Sequence, residues 1–271
     1  MPELPEVETT RRGIAPYVIG ETISNVIVRE RQLRWPIPAS LKRSLTNSMF
    51  RKLERRAKYL LFETEKGCML LHLGMSGSLR IIDAGAPHTK HDHVDFVFDS
   101  GRVLRFRDPR KFGSIHWVKD NPFAHSLLQH LGPEPLSDEF NVDYLFSKSR
   151  KRTQSVKTFI MDSRIVVGVG NIYANESLFM AGINPMRKAG SISKARYALL
   201  VEAIKAVLES AIRKGGTTLR DFINGEGKPG YFRNELKVYD RALLPCVTCQ
   251  RPLKLARLGQ RATVYCTHCQ R

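Results

Sequence analysis

Two rhythms of apolar residues run along this chain. From Pro5 to Ile14 the spacing is helical, and Gly13 and Pro16 supply a stop. Beyond that the period shortens. Thr22 to Val28 alternates, Tyr59-Leu60-Leu61-Phe62-Glu63 and Cys68 to Leu73 are apolar runs, and Leu79 to Ile82 follows a glycine-rich turn. His93 to Phe98 alternates around Asp95, Asp99-Ser100-Gly101 has the composition of a tight hairpin turn, and Val103 to Phe106 returns from it. Several short strands with turns between them predict a β-sandwich or barrel. Gly132 to Asp138 reads as a turn-rich linker and marks a domain boundary. After it the spacing is helical over Ser155–Met161, Asn171–Ala181 and Ser193–Lys214, the last ending at Gly215-Gly216. The fold class is therefore α+β.

Composition changes the picture by adding a partner. The chain has 271 residues, enough for two domains, and its 42% hydrophobic content supports a real core. Lysine and arginine number 44 against 26 acidic residues, a formal net charge of +18. Such an excess calls for a polyanion. The basic residues are spread through folded-looking segments and are not gathered on one amphipathic helix or tail, which favours nucleic acid over a membrane surface. No apolar stretch is long enough to span a bilayer and the start of the chain does not resemble a signal peptide, so a cytosolic or nucleoid location is expected.

Four of the five cysteines fall in the last 26 residues. Cys246-x-x-Cys249 and Cys266-x-x-Cys269 are separated by 16 residues, a spacing suited to four thiolates around one structural Zn²⁺ on a hairpin. A pair of disulfides is the alternative, disfavoured in a reducing compartment. His268 lies between ligands, but four cysteines already close the site. The hairpin tip, Leu258 to Thr263, presents Arg261 either to a phosphate or simply to solvent. Cys68, alone in an apolar run, reads as a small core residue.

The start of the chain carries candidate chemistry. Removal of Met1 would expose the secondary amine of Pro2, whose pKa as a chain terminus lies far below that of a lysine. Such an amine can form a covalent carbon–nitrogen adduct, and Glu3 beside it can move a proton. Taken alone, the segment reads first as the ordinary opening of a helix. A second candidate is the glycine-rich turn Val167-Gly168-Val169-Gly170 ahead of Asn171. It lacks the third glycine of a dinucleotide fingerprint, but it can offer a phosphate a helix N-terminus, with Lys151 and Arg152 nearby in sequence. A helix-packing turn explains the same glycines. His91 and His93 flank Asp92 with no third ligand in view, so no metal is assigned there.

Taken together these motifs resemble the bacterial formamidopyrimidine-DNA glycosylases, bifunctional enzymes that remove oxidised purines and then nick the strand. The resemblance rests on Pro2-Glu3-Leu4-Pro5-Glu6-Val7-Glu8-Thr9, Arg55 to Leu60, His72 to Gly77, Lys90 to Asp95, Asp108 to Gly113, Val167 to Ala174, Asp221-Phe222 with Gly227 to Tyr231, and the four cysteines. It implies a sandwich catalytic domain over 1–131, a linker over 132–150, a helix–two-turn–helix domain over 151–236 and a zinc finger over 237–271. It implies Pro2 as the nucleophile on C1′ and Glu3 as its acid–base partner, with Glu6 in support. Lys58 and Arg261 match the positions assigned to β- and δ-elimination. A guanidinium stays charged, so Arg261 is expected to clamp a phosphate and not to donate a proton. Met75, Arg110 and Phe112 would fill the gap left by a flipped base, and His72, His91, Lys111, Arg152 and Asn171 would hold phosphates. Thr217, Thr218 and Tyr231 fall in a loop covering the lesion. Damaged duplex DNA is the expected partner of a monomer that needs no small-molecule cofactor.

Two rivals remain. An endonuclease VIII type of glycosylase would share the architecture but prefer oxidised pyrimidines; Leu4, Val7 and the Met75/Arg110/Phe112 set favour the purine enzyme. A non-catalytic zinc-ribbon DNA-binding protein would explain charge and cysteines and leave Pro2-Glu3 incidental.

Overall fold

The computed structural model describes residues 2–216 and 235–271, and its described residues divide into two compact units. Among them the first draws on 2–129 and 214–216, the second on 130–213 and 235–271. Thr217, Thr218 and Tyr231 lie outside the described residues.

The first unit opens with helix α1, Leu4–Val18. Leu4, Val7, Ile14 and Val18 are buried along one face, at the three- and four-residue steps of an amphipathic helix. The helix runs past the stop expected at Gly13 and Pro16. Pro16 sits within the last turn, exposed and with no N–H to donate to the turn before it, while Ile19 N–H still bonds Ala15 O at 3.1 Å.

Eight strands follow in two antiparallel sheets. One has the order β1 (Ile23–Val28), β6 (Asp92–Phe98), β7 (Arg102–Arg107), β5 (Ser78–Asp83); the other β2 (Lys52–Arg56), β3 (Tyr59–Thr64), β4 (Gly67–His72), β8 (Ser114–Val118). Leu60 and Phe62, Met69 and Leu71, Phe96 and Phe98, and Leu104 and Phe106 alternate along their strands into one core cluster with Val7, Ile14 and Val18 of α1. The choice left open between sandwich and barrel falls to the sandwich. Cys68 is buried, and burial pushes its thiol up to about 12, with Glu63 and Glu54 adding to the effect. A short helix α2 (Leu41–Leu45) seals the edge near β1.

The second unit holds α3 (Val142–Ser149), α4 (Val156–Ile160), α5 (Asn171–Met180) and α6 (Lys194–Arg213), then a hairpin of β9 (Lys254–Leu258) and β10 (Arg261–Tyr265). The stretch read as a connecting segment thus contains α3, which packs on α6. Residues Ile172–Phe179 of α5 are all buried, because α6 and β10 both pack against this helix. Glu176 accepts the backbone N–H groups of Lys237, Val238 and Tyr239 at 2.8–3.0 Å, and Asn175 Oδ1 accepts that of Val264 at 3.1 Å. No helix among the described residues is long and apolar enough to cross a membrane.

Candidate active site

In the first unit, Pro2 and Glu3 are buried at the head of α1. Glu3 is the N-cap, and its N–H donates to Glu6 Oε2 at 2.8 Å, so the first acidic residue of the helix secures the residue next to Pro2. Gly216, with φ +82°, approaches so closely that a Cβ there would lie 3.1 Å from Glu6 Cγ and Oε1.

Lys58 stands on the two-residue turn between β2 and β3, where Arg56 pairs with Tyr59 and Ala57 takes φ 55°. The turn is tied to α1 through Arg55, which donates to Glu8 Oε2 at 3.2 Å and to Ala57 O at 3.0 Å. Glu8 is only 7% exposed. Burial works to raise its pKa, but hydrogen bonds from Arg11 and Arg12 and the charges of Arg11 and Arg55 outweigh it and hold the carboxyl at about 2. His72 faces Tyr59 across the sheet with ring centroids 4.8 Å apart. Its Nδ1 accepts Gly74 N–H at 2.9 Å, so its proton is on Nε2 and available to an anion. Burial, with the charges of Lys58 and Arg34 and a smaller contribution from His116, pushes its pKa down to about 4. His72 is a neutral donor near pH 7.

Met75, Arg110 and Phe112 lie on two loops joined by one buried residue. Asp108, 0% exposed, accepts Ser76 Oγ–H at 2.7 Å on one carboxylate oxygen and Gly113 N–H at 2.7 Å on the other. Ser76 Oγ in turn accepts Arg110 N–H at 3.1 Å. The Asp108 carbonyl meets His93 Nε2 at 2.7 Å, and its N–H donates to His91 O at 3.0 Å. The loops also touch directly: at Gly74, with φ +67°, a Cβ would lie 2.4 Å from the Phe112 carbonyl carbon and the Gly113 nitrogen. Met75 is half-buried, Arg110 is exposed, and Phe112 is 44% exposed with the Arg110 guanidinium 5.2 Å from its ring centre. An exposed aromatic held this way has the form of a wedge. Lys111 is exposed and pairs with Glu30 at 2.5 Å, and His91 is half-buried. Asp92 faces Arg105 and Arg107 at 3.7 and 3.8 Å. Asp108 appeared in the sequence only as part of a motif, because nothing local marks a buried carboxylate whose partner is 32 residues away.

In the second unit, Asn171 is the first residue of α5, with Gly170 at its N-cap and Gly168 at φ 78°. Arg152 is exposed in the turn after α3. Arg261 is exposed at the start of β10, just past a hairpin tip in which Gly259 and Gln260 both have positive φ (52° and 60°). The buried Lys157 donates to Ala262 O and Thr263 Oγ1, both at 2.9 Å, fixing the strand that carries Arg261. The four cysteine sulfurs lie within 4.8 Å of one another, with Cys249–Cys266 at 3.5 Å and Cys246–Cys269 at 3.9 Å. Bonds of about 2.3 Å to one tetrahedral ion separate thiolates by roughly 3.8 Å, so the donor set fits a metal of that kind.

Comparison with known proteins places this geometry. Residues 1–115 match the formamidopyrimidine-DNA glycosylase N-terminal domain and 131–223 the H2TH domain of the same enzymes. That pairing defines a DNA glycosylase of the helix–two-turn–helix class. A formamidopyrimidine-DNA glycosylase from Nitrosococcus oceani is 57% identical over 270 residues, covering 100% of both chains. A crystal structure from Thermus thermophilus superimposes with TM-score 0.88 at 37% identity, covering 99% of this chain and 98% of that one. The wild-type Lactococcus lactis protein, in a complex with DNA containing an N7-benzyl-formamidopyrimidine-dG lesion, gives 0.92 at 32% identity with 99% of each chain covered. The chain belongs to the formamidopyrimidine-DNA glycosylase family. It is an enzyme with glycosylase and AP-lyase activity.

Proposed function

We propose that this enzyme excises oxidised purines from duplex DNA through the Pro2 amine of a chain from which Met1 has been removed. The observation that carries the reading is the head of α1, where Pro2 and Glu3 are buried and the Glu6 carboxylate holds the Glu3 backbone. The amine attacks C1′ as the base departs and loses its own proton; Glu3 then protonates O4′, the C1′–O4′ bond breaks and the sugar ring opens. The product is an iminium, which keeps its positive charge without a proton. That charge acidifies the neighbouring sugar carbon, so β- and then δ-elimination expel the two phosphates. Lys58 and Arg261 neutralise the charge that develops on them, and Glu6 orients Glu3.

The target base leaves the stack before reaction. Met75 and Phe112 fill the space, and Arg110 bonds the base left opposite. His72, His91, Lys111, Arg152 and Asn171 take backbone phosphates, which position DNA without reading sequence. Thr217, Thr218 and Tyr231 contribute to a cover over the flipped base. Zn²⁺ is the metal of the four-cysteine site, with a structural role, since a closed site has no position for substrate. The lesion-containing DNA in the Lactococcus lactis complex supports the choice of partner. The enzyme works as a monomer in the cytoplasm.

Borohydride trapping on duplexes containing 8-oxoguanine tests this reading. Processed enzyme should yield a covalent adduct mapping to Pro2, and Pro2→Gly should yield none. Absence of an adduct from the processed protein overturns the mechanism. Faster cleavage at thymine glycol than at 8-oxoguanine overturns the substrate class.

A further inference from the structure

The loop between β1 and the helix α2 holds a cation that none of the assignments above uses. Gln32 and Pro36 form an antiparallel bridge, so Leu33-Arg34-Trp35 is the tip of a short hairpin-like loop. Leu33 and Ile37 are buried in the sandwich core and anchor the loop on both sides of the tip. Arg34 N–H donates to Gly113 O at 3.2 Å, joining the tip to the chain beside Phe112. The exposed Arg34 guanidinium lies 4.5 Å from the Trp35 ring centre, and Trp35 packs edge-on against His116 with centroids 5.4 Å apart. Among the described residues no carboxylate pairs with Arg34.

Its neighbours give the position meaning. Gly113 precedes Ser114, which pairs with His72 across β4 and β8, and His72 pairs with Tyr59 beside Lys58. The charges of Arg34 and Lys58 both reach the His72 ring. A surface arginine normally loses rotamer freedom when it binds; one already stacked on indole has less to lose. A stacked guanidinium without a carboxylate partner among the described residues, next to two anion donors, is built for an oxyanion.

We propose that Arg34, held on the Trp35 ring, is a further DNA-phosphate contact that extends the Lys58–His72 edge. The proposal rests on the DNA-repair reading above and concerns binding, not the covalent step. A phosphate contact is independent of sequence and of the lesion, and each one neutralised contributes about 0.9 to the slope of log affinity against log salt.

Affinities of full-length wild type, Arg34→Ala, Arg34→Lys and Trp35→Leu are measured from low to moderate salt, on an undamaged duplex and on one carrying a tetrahydrofuran abasic analogue. Arg34→Ala should lower the salt slope by about 0.9 and weaken binding to both duplexes by a similar factor, roughly three- to tenfold near 0.1 M salt. Arg34→Lys should keep the slope and bind more weakly than wild type. Trp35→Leu should also keep the slope while losing affinity. An unchanged slope in folded Arg34→Ala overturns the proposal, as does a loss confined to the abasic duplex. If Arg34→Ala does not fold, Arg34→Gln supplies the same neutral comparison. Wild type that binds both duplexes but gives no borohydride adduct would sink the proposed mechanism and leave the Arg34 contact standing, so the two failures are distinguishable.

Discussion

Asp108 decides how the loops that carry Met75, Arg110 and Phe112 are joined. Its carboxylate joins Ser76 and Gly113 on two different loops, with no exposed surface of its own. Removing it orphans two donors in a dry environment, which costs about 2–4 kcal/mol. Asp108→Ala should lower stability by that amount in urea unfolding and erode discrimination of the base opposite the lesion as far as Arg110→Ala does. Discrimination that survives in folded Asp108→Ala would separate the joint from the wedge. Residues of this kind are poorly legible in sequence. Pro2, Glu3, Lys58, Met75, Arg110 and Phe112 stand out through motifs, whereas the bonds that join their loops run from residue 76 to 108 and from 34 to 113. No periodicity carries such separations.

Among the elements, α1 and the β2–β3 hairpin behave as one support, because Glu8 and Arg55 join the helix that carries Pro2 to the turn that carries Lys58. The Glu8 carboxyl has an ordinary value of 4.5 and about 2 in the fold. Folding lowers its pKa, so its contribution is fully present above pH 4.5 and is lost as pH falls toward 2; the shift corresponds to at most about 3 kcal/mol. Unfolding free energies measured between pH 6 and 2.5 should fall steeply for wild type and less steeply for Glu8→Gln. Equal slopes would mean that another group governs acid unfolding. Elements with a clear period were legible: β3, β4, β6, β7, α5 and α6 lie within a residue or two of expectation. The strands β2 and β8 were not foreseen. They are the two edges of their sheet, and Lys52–Arg56 has a single buried residue, Leu53, so pairing with β3 and not pattern makes it a strand. The reverse error occurred at Pro16, where a turn signal lost to helix packing near a solvent-facing C-terminus.

At the scale of the whole molecule, the net charge of +18 is matched by cationic groups exposed in both units, among them Arg34, Arg110 and Lys111 in the first and Arg152 and Arg261 in the second. The four cysteines hold the hairpin that presents Arg261. Stripping the metal should abolish duplex binding while the β-rich unit keeps its far-ultraviolet strand signal. Elemental analysis should find one zinc per chain, and re-addition should restore binding. Duplex affinity that is indifferent to chelation, in protein shown to be metal-free, would leave the hairpin without a role in binding.

The sequence by itself determined what depends on neighbours along the chain. The two Cys-x-x-Cys pairs, the helix opening at Pro2-Glu3, the Asp99-Ser100-Gly101 turn and the glycines before Asn171 each set their own geometry through bonds a few residues long. Tertiary structure decided what depends on residues far apart in the chain. It made a sandwich of strands that a barrel could have used, turned two segments without a clear signal into sheet edges, and placed Asp108 between the loops that carry Met75, Arg110 and Phe112. It also bound Glu8 to Arg55 and stacked Arg34 on Trp35, with its charge reaching His72. The physical reason is burial: a carboxylate or guanidinium acquires its partner, its pKa and its direction from the groups that displace its water, and those groups are assembled only when the chain folds.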